Sequence, residues 1–184
     1  MSSQAPATIE NLCRVAGKAE LVDGQIVSIA PGGGWQGHAV GNILASLSAR
    51  ATETGVGHPV GGNAAFVVDL PHRKSFSPDA AFYTGELTMK FLEGAPVFAV
   101  EVRSEGDYGP QAEAAMAQKR ADYFAAGTLV VWDVDLLSED VVRVYRPDQP
   151  KQPTIYRRDD IADAEPAVPG WSMPVRDMLP PESA

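Results

Sequence analysis

The sequence lacks several features that would decide its class at once. Cys13 is the single cysteine among 184 residues, so the chain can form no internal disulfide and has no cysteine cluster for zinc. No stretch of about 18 apolar residues occurs, and the start lacks both the basic residues and the apolar run of a secretory signal. We therefore expect a cytoplasmic protein that is neither secreted nor embedded in a membrane.

Basic residues are also scarce. The chain has 15 Lys and Arg against 24 Asp and Glu, a net charge of -9. This balance opposes diffuse electrostatic attachment to nucleic acid or to anionic lipid, so any nucleic-acid contact is expected to be local. Hydrophobic residues make up 45% and charged residues 21%, which is typical of a packed globular domain.

The spacing of apolar residues predicts the order of the helices and strands. Helices are predicted over residues 8–16, 35–54 and 110–126, and strands over 65–70, 79–83, 96–103 and 128–134. Hairpins are predicted around Asp23-Gly24 and between residues 141–145 and 154–157. This order predicts an α/β (α+β) fold, a mixed central β-sheet flanked by helices with an N-terminal β-hairpin. We divide the chain into a helical arm (1–18), one domain (19–175) and a tail (176–184).

Three acids lie on or beside predicted strands: Glu20 in the first hairpin, Asp79, and Glu101 in an apolar strand. A carboxylate buried in such a strand costs several kcal/mol unless it is paired or binds a metal. Strand alternation places Arg103 on the same face as Glu101, ~6.6 Å further along. A structural ion pair of Arg103 with Glu101 or another acid is therefore an alternative to a metal site.

Lys119 is unusual because it lies among inward-facing residues of the last predicted helix. The apolar stripe of this helix has steps of four and three residues and includes Lys119 and Tyr123. A lysine stem at the edge of the core would also explain this position, since such stems lie along apolar surface while the ammonium reaches water.

Acids on neighbouring strands and an inward lysine suit the hydrolysis of a phosphodiester. Mg²⁺ or Mn²⁺ needs hard oxygen ligands, which Asp79, Glu101 and the carbonyl of Val102 could supply. The metal lowers the pKa of a bound water, and Lys119 could orient that water or stabilise charge.

At these residues the chain resembles the restriction-endonuclease-like family of the PD-(D/E)XK nuclease superfamily. The likeness extends from about Glu20 to Trp171, and the order and spacing of its motifs carry it. The motifs are Glu20-Leu-Val-Asp-Gly24, Ser77-Pro-Asp79, Val97-Phe-Ala-Val-Glu101-Val, Lys119 with Tyr123 and Gly127, Val131-Trp132 with Asp135, and Pro169-Gly170.

The resemblance implies a restriction-endonuclease-like core and assigns the metal site to Asp79 and Glu101, with Glu20 as an additional acid. The superfamily's lysine normally stands two residues after the second acid, where this chain has Arg103. In this family the lysine is thought to have moved to the following helix, which makes Lys119 its replacement. Arg103 then either contacts phosphate or pairs with an acid.

The resemblance and the residues together predict a Mg²⁺- or Mn²⁺-dependent endonuclease whose partner is nucleic acid, with DNA as the expected substrate. A homodimer is expected because two sites serve double-strand cleavage. The alternative is a non-catalytic oligomeric module, used for binding or regulation, in which Arg103 and Lys119 hold the acids in a buried network.

Overall fold

The computed structural model describes residues 5–181, so residues 1–4 of the predicted arm and 182–184 of the predicted tail lie outside the described residues. Within this range, no helix is both long enough and apolar enough to cross a membrane. The elements in chain order are α1 (Ile9–Leu12), β1 (Ala19–Val22), β2 (Gln25–Ser28), α2 (Gly34–Thr54), β3 (His58–Gly61), β4 (Phe66–Val67), β5 (Ser75–Phe76), β6 (Ala80–Tyr83), β7 (Leu92–Glu93), β8 (Phe98–Val102), α3 (Pro110–Ala125), β9 (Val130–Val134), β10 (Val142–Tyr145), β11 (Thr154–Tyr156), β12 (Ile161–Asp163), β13 (Ser172–Pro174) and a 3₁₀ helix (Val175–Met178).

A six-stranded mixed sheet forms the centre, in the order β11-β10-β9-β8-β6-β3. Strands β8 and β9 are parallel, and the other neighbouring pairs are antiparallel. Helix α3 connects the two parallel strands, because a parallel pair needs a crossover rather than a tight turn. The predicted mixed sheet and the predicted crossover are both confirmed.

One face of this sheet packs against helix α2. Strand β8 contributes Phe98, Val100 and Val102 to this core, and α2 contributes Ile43 and Leu47. The four-residue step between Ile43 and Leu47 keeps both side chains on one side of the helix, so α2 buries a continuous stripe.

The opposite face packs against helix α3. Ala99 of β8 and Val131 of β9 share this core with Tyr123 of the helix. The Tyr123 ring stacks on the ring of Phe76, with 4.1 Å between the ring centroids. Alternate residues of β8 therefore enter different cores, as the strand period requires. Helices α2 and α3 flank the sheet on its two sides.

The N-terminal hairpin β1-β2 forms as predicted and docks beside β5. Asp23 and Gly24 adopt positive φ angles of 50° and 69° in its turn. Leu21 ties the hairpin down, since its N–H donates to Ser75 Oγ at 2.8 Å and its carbonyl accepts from the Lys74 N–H at 2.8 Å. This docking carries Glu20 toward the large sheet.

Two predicted elements are less than half as long in the structure. The helix predicted to reach residue 16 ends at Leu12, because a single turn capped by Thr8 and Asn11 is not extended by tertiary packing and Gly17 turns the chain at φ 90°. The strand predicted over 65–70 is only Phe66–Val67.

Five strands were not predicted from the sequence: β3, β5, β7, β12 and β13. Strands β5 and β7 have two residues each, too few to show alternation. Strand β3 contains Pro59, which is tolerated because β3 lies at the edge of the sheet.

We predict that Gly57→Ala destabilises the fold more than Gly55→Ala. Both glycines have positive φ, 75° and 67°, so both variants bear a backbone cost of roughly 1 kcal/mol. At Gly57 a Cβ would also lie 2.2 Å from the buried ring of Phe82, whereas at Gly55 it meets nothing within 4 Å. We expect an additional loss of about 1 to 3 kcal/mol at Gly57 by urea unfolding. Equal losses in the two variants would contradict the packing.

Candidate active site

The four predicted catalytic residues come from four separate elements and meet at one place. Glu20 lies in β1, Asp79 directly precedes β6, Glu101 is the fourth residue of β8, and Lys119 lies in α3. The Nζ atom of Lys119 is 2.8 Å from Glu20 Oε1 and 2.9 Å from Glu101 Oε1. Asp79 joins the group through its Oδ2 atom, which accepts the N–H of Val102 at 2.8 Å.

Lys119 is held between two carboxylates and is largely sheltered from solvent. Its side chain is 18% exposed. Burial by itself would lower the pKa of Lys119, but the charges of Glu101 and Glu20 outweigh burial and raise that pKa. The side chain is therefore an ammonium at neutral pH, able to donate hydrogen bonds and unable to accept a proton.

Burial and the neighbouring acids both act against the charged form of Glu101. Burial raises the pKa of Glu101; Lys119 opposes this shift, while the charges of Asp79 and Glu20 add to it. Tyr123 donates its hydroxyl proton to Glu101 Oε1 at 2.6 Å. Within residues 5–181, the hydrogen bond and the ion pair of this carboxylate both end on Oε1, and the side chain keeps 24% exposure. Tyr123, which the sequence placed in the inward-facing stripe of its helix, thus both packs in the core and fixes Glu101.

Glu20 is fully engaged by donors. Its Oε1 accepts from Lys119 and from the N–H of Ser77 at 2.8 Å, and its Oε2 pairs with Arg73 at 2.6 Å. Burial opposes ionisation of Glu20, but Lys119 and Arg73 lower its pKa to about 2. Both oxygens are satisfied, so this carboxylate is suited to orienting Lys119.

Arg73 also belongs to this network. Its side chain is 8% exposed and also pairs with Asp122 at 2.8 Å. The local sequence offers little sign of this role, because Arg73 becomes buried only when the hairpin docks beside it through the bridge to Val22.

Two further residues of the site, Lys18 and Gln36, were not predicted from the sequence. Lys18 Nζ lies 2.6 Å from Asp79 Oδ1. Gln36 Nε2 donates to the carbonyl of Val102 at 2.8 Å and to Asp79 Oδ2 at 3.3 Å. Gly32 makes room for Gln36, since a Cβ on Gly32 would lie 1.2 Å from Gln36 Oε1. The glycine-rich segment 32–34 at the start of α2 thus has a packing role beside the site.

The donor set fits a hard divalent cation. The carboxylates of Asp79 and Glu101 and the carbonyl of Val102 lie at adjacent strand ends and offer only oxygen ligands, the kind that Mg²⁺ and Mn²⁺ prefer. Burial raises the pKa of Glu101 most, and the negative charges of Asp79 and Glu20 add to that rise; a cation would offset this negative charge. In the part of the chain that the structure describes, His, Cys, Asp and Glu form no group of three or more suited to a metal, so the carbonyl and water would complete the coordination.

Arg103 is occupied by acids other than those of the site. Its Nε and Nη2 atoms donate to the two carboxylate oxygens of Asp133 at 2.8 Å each, and Nη1 and Nη2 bind Glu113. Its side chain is only 5% exposed. Between the two roles predicted for Arg103, this geometry favours pairing with an acid over contact with phosphate. The sequence suggested that both Arg103 and Lys119 could hold the acids of the site. Of these two cations, Lys119 contacts the site acids, whereas Arg103 pairs with Asp133 and Glu113.

We predict that Arg103→Ala lowers the free energy of unfolding by about 3 to 5 kcal/mol, because it leaves the buried carboxylate of Asp133 without its main partner. The matched control is Arg176→Ala, which removes a pair with Asp159 whose side chains are 61% and 85% exposed. That control should change stability by roughly 1 kcal/mol or less. Urea unfolding of both variants checks this, and a loss at Arg103 as small as the control would contradict a structural role.

Similarity to known proteins supports the restriction-endonuclease-like fold and identifies the family of this chain. A crystal structure from Anabaena variabilis, described as "a putative nuclease belonging to DUF820", superposes with a TM-score of 0.74 and 16% sequence identity, covering 95% of this chain and 98% of that one. No curated protein matches the chain significantly. Residues 6–176 match the Uma2 family, which bears the description "Putative restriction endonuclease". The chain therefore belongs to the Uma2 family of restriction-endonuclease-like proteins.

Proposed function

We propose that the protein is an endonuclease that hydrolyses phosphodiester bonds in DNA with Mg²⁺ or Mn²⁺ as its cofactor. Membership of a nuclease family supports the general activity. The observation that carries the finer proposal is the position of the Lys119 ammonium, within 2.9 Å of both Glu20 and Glu101. It brings a fixed positive charge to the carboxylates of a candidate cation site.

In this proposal Asp79, Glu101 and the Val102 carbonyl hold the cation. When bound, the cation supplies an activated water and positive charge near the phosphate. Tyr123 fixes the orientation of Glu101 through its 2.6 Å hydrogen bond.

Lys119 acts through its charge. Because its pKa is raised, it stays protonated and stabilises negative charge that develops on the phosphate, or orients the water by donating to it. Glu20 keeps the ammonium in place, and Arg73 and the Ser77 N–H hold Glu20 in turn. We therefore assign Glu20 to the positioning of Lys119.

Substrate approach must rely on local contacts, since the net charge of -9 repels a polyanion. We propose duplex DNA as the substrate and a homodimer as the active form, because two copies of the site would allow both strands to be cut. We also propose a cytoplasmic location, because a chain with a single cysteine needs no oxidising compartment to form internal disulfides.

Plasmid cleavage tests the activity. Supercoiled plasmid at low salt should be nicked or linearised with Mg²⁺ or Mn²⁺ and stay intact with EDTA. Lys119→Met should lower the cleavage rate by roughly 100-fold or more, because it removes fixed charge at the reacting group. The matched control is Lys74→Met, which alters a partly exposed lysine paired with exposed Asp69 and should cleave like the parent. Full activity in Lys119→Met, or cleavage that survives EDTA, would contradict the mechanism.

A non-catalytic binding module is the second candidate, favoured by one observation. Each site acid already has a cationic partner: Lys18 for Asp79, and Lys119 for both Glu20 and Glu101. If the acids serve only this network, Glu101→Ala should destabilise the fold by about 3 to 5 kcal/mol by leaving charge uncompensated. The protein would then neither cleave plasmid nor bind Mn²⁺ in calorimetry.

A further inference from the structure

Lys18 occupies one side of the proposed cation site. Its Nζ atom lies 2.6 Å from Asp79 Oδ1, and the two side chains are only 18% and 14% exposed. An ammonium at this distance supplies the carboxylate with the positive charge that a metal ion would otherwise supply. Solvent screens such a sheltered pair less than it screens an open surface pair.

The same hairpin that positions Glu20 also positions Lys18. Lys18 directly precedes β1, and its carbonyl accepts the N–H of Ile29 at 2.8 Å, which fixes its backbone to the second strand. Lys18 and Glu20 are two residues apart, so their side chains leave the same side of the extended chain. One side of the hairpin thus places the Lys18 ammonium beside Asp79 and the Glu20 carboxylate beside Lys119.

Both carboxylate oxygens of Asp79 already accept hydrogen bonds. Oδ1 accepts from Lys18, and Oδ2 accepts from the N–H of Val102 and, at 3.3 Å, from Gln36. The Val102 N–H belongs to a central strand and is fixed there. Lys18 is the charged donor of this set and is held by rotatable side-chain bonds, so it is the donor that a cation would replace.

We propose that Lys18 is a built-in counter-ion of Asp79 that a divalent cation must displace, so that Lys18 sets the metal affinity of the site. This inference rests on the proposed metal site. Two effects weaken cation binding in the presence of Lys18. Displacing Lys18 costs the free energy of its ion pair with Asp79, and the displaced ammonium nearby repels the cation. Removing the charge of Lys18 therefore strengthens cation binding.

Mn²⁺ binding to the full chain at low ionic strength, measured by calorimetry without nucleic acid, tests this inference. Lys18→Met should bind Mn²⁺ about tenfold more tightly than the parent, since a sheltered ion pair contributes about one such factor. Lys18→Gln should behave in the same way and serves if the methionine variant does not fold. Lys18→Arg, which keeps the charge, and Lys74→Met, an unrelated lysine, should bind like the parent.

The effect of Mn²⁺ on the melting temperature distinguishes a counter-ion that a metal replaces from a Lys18–Asp79 pair that only stabilises the fold. Without divalent ions Lys18→Met should melt below the parent, because Asp79 loses its counter-ion. Saturating Mn²⁺ should remove most of that difference, because the ion then compensates Asp79 in both proteins. A deficit that Mn²⁺ does not reduce would overturn the inference.

The outcomes separate this inference from the proposed function. Mn²⁺ binding that Asp79→Asn abolishes but that Lys18→Met leaves unchanged or weakens would overturn the role of Lys18 and leave the metal site standing. Absence of Mn²⁺ binding in the parent and in the Lys18 variants would overturn both the inference and the metal dependence.

Discussion

The site depends on one ammonium, largely sheltered from solvent and held between two carboxylates. Lys119 remains charged in a sheltered position only because Glu20 and Glu101 contact it within 2.9 Å. Each carboxylate in turn needs further partners, since burial disfavours an ion without them. Arg73 and the Ser77 N–H serve Glu20, and the Tyr123 hydroxyl serves Glu101. Much of the polar structure around the site follows from compensating this one charge.

The topology of the sheet explains how distant residues reach the same place. Strand β8 lies between antiparallel β6 and parallel β9, so the start of β6 lies beside the end of β8 and brings Asp79 next to Val102. The crossover to β9 runs through helix α3 on one face of the sheet, and that helix brings Lys119 to Glu101. The docked hairpin closes the group with Glu20.

The sequence allowed much of this arrangement to be predicted, because the relevant signals are local or periodic. Alternation in β8 separated Glu101 from the apolar residues on either side of it, and the helical stripe of α3 identified Lys119 as inward-facing. The turn residues Asp23-Gly24 located the hairpin. The fold class and the family resemblance rest on these patterns, and both are confirmed.

The rest depended on contacts between segments far apart in the chain. Lys18 and Asp79 are 61 residues apart, and Gln36 and Val102 are 66 apart. Neither Lys18 nor Gln36 lies in a pattern that distinguishes it from other polar residues. The two roles open for Arg103 could be compared only when its partners Asp133 and Glu113 were known, because spacing along a strand shows which face a side chain takes and not what it meets there.

Asp79, Glu101 and the Val102 carbonyl are proposed to form one cation site. The most direct measurement is anomalous diffraction at the manganese absorption edge from crystals of this protein soaked in Mn²⁺. We predict a peak bonded to oxygens of Asp79, Glu101 and Val102, with the Lys18 side chain moved away from Asp79. Anomalous peaks only at other positions, with Lys18 still paired to Asp79, would contradict it.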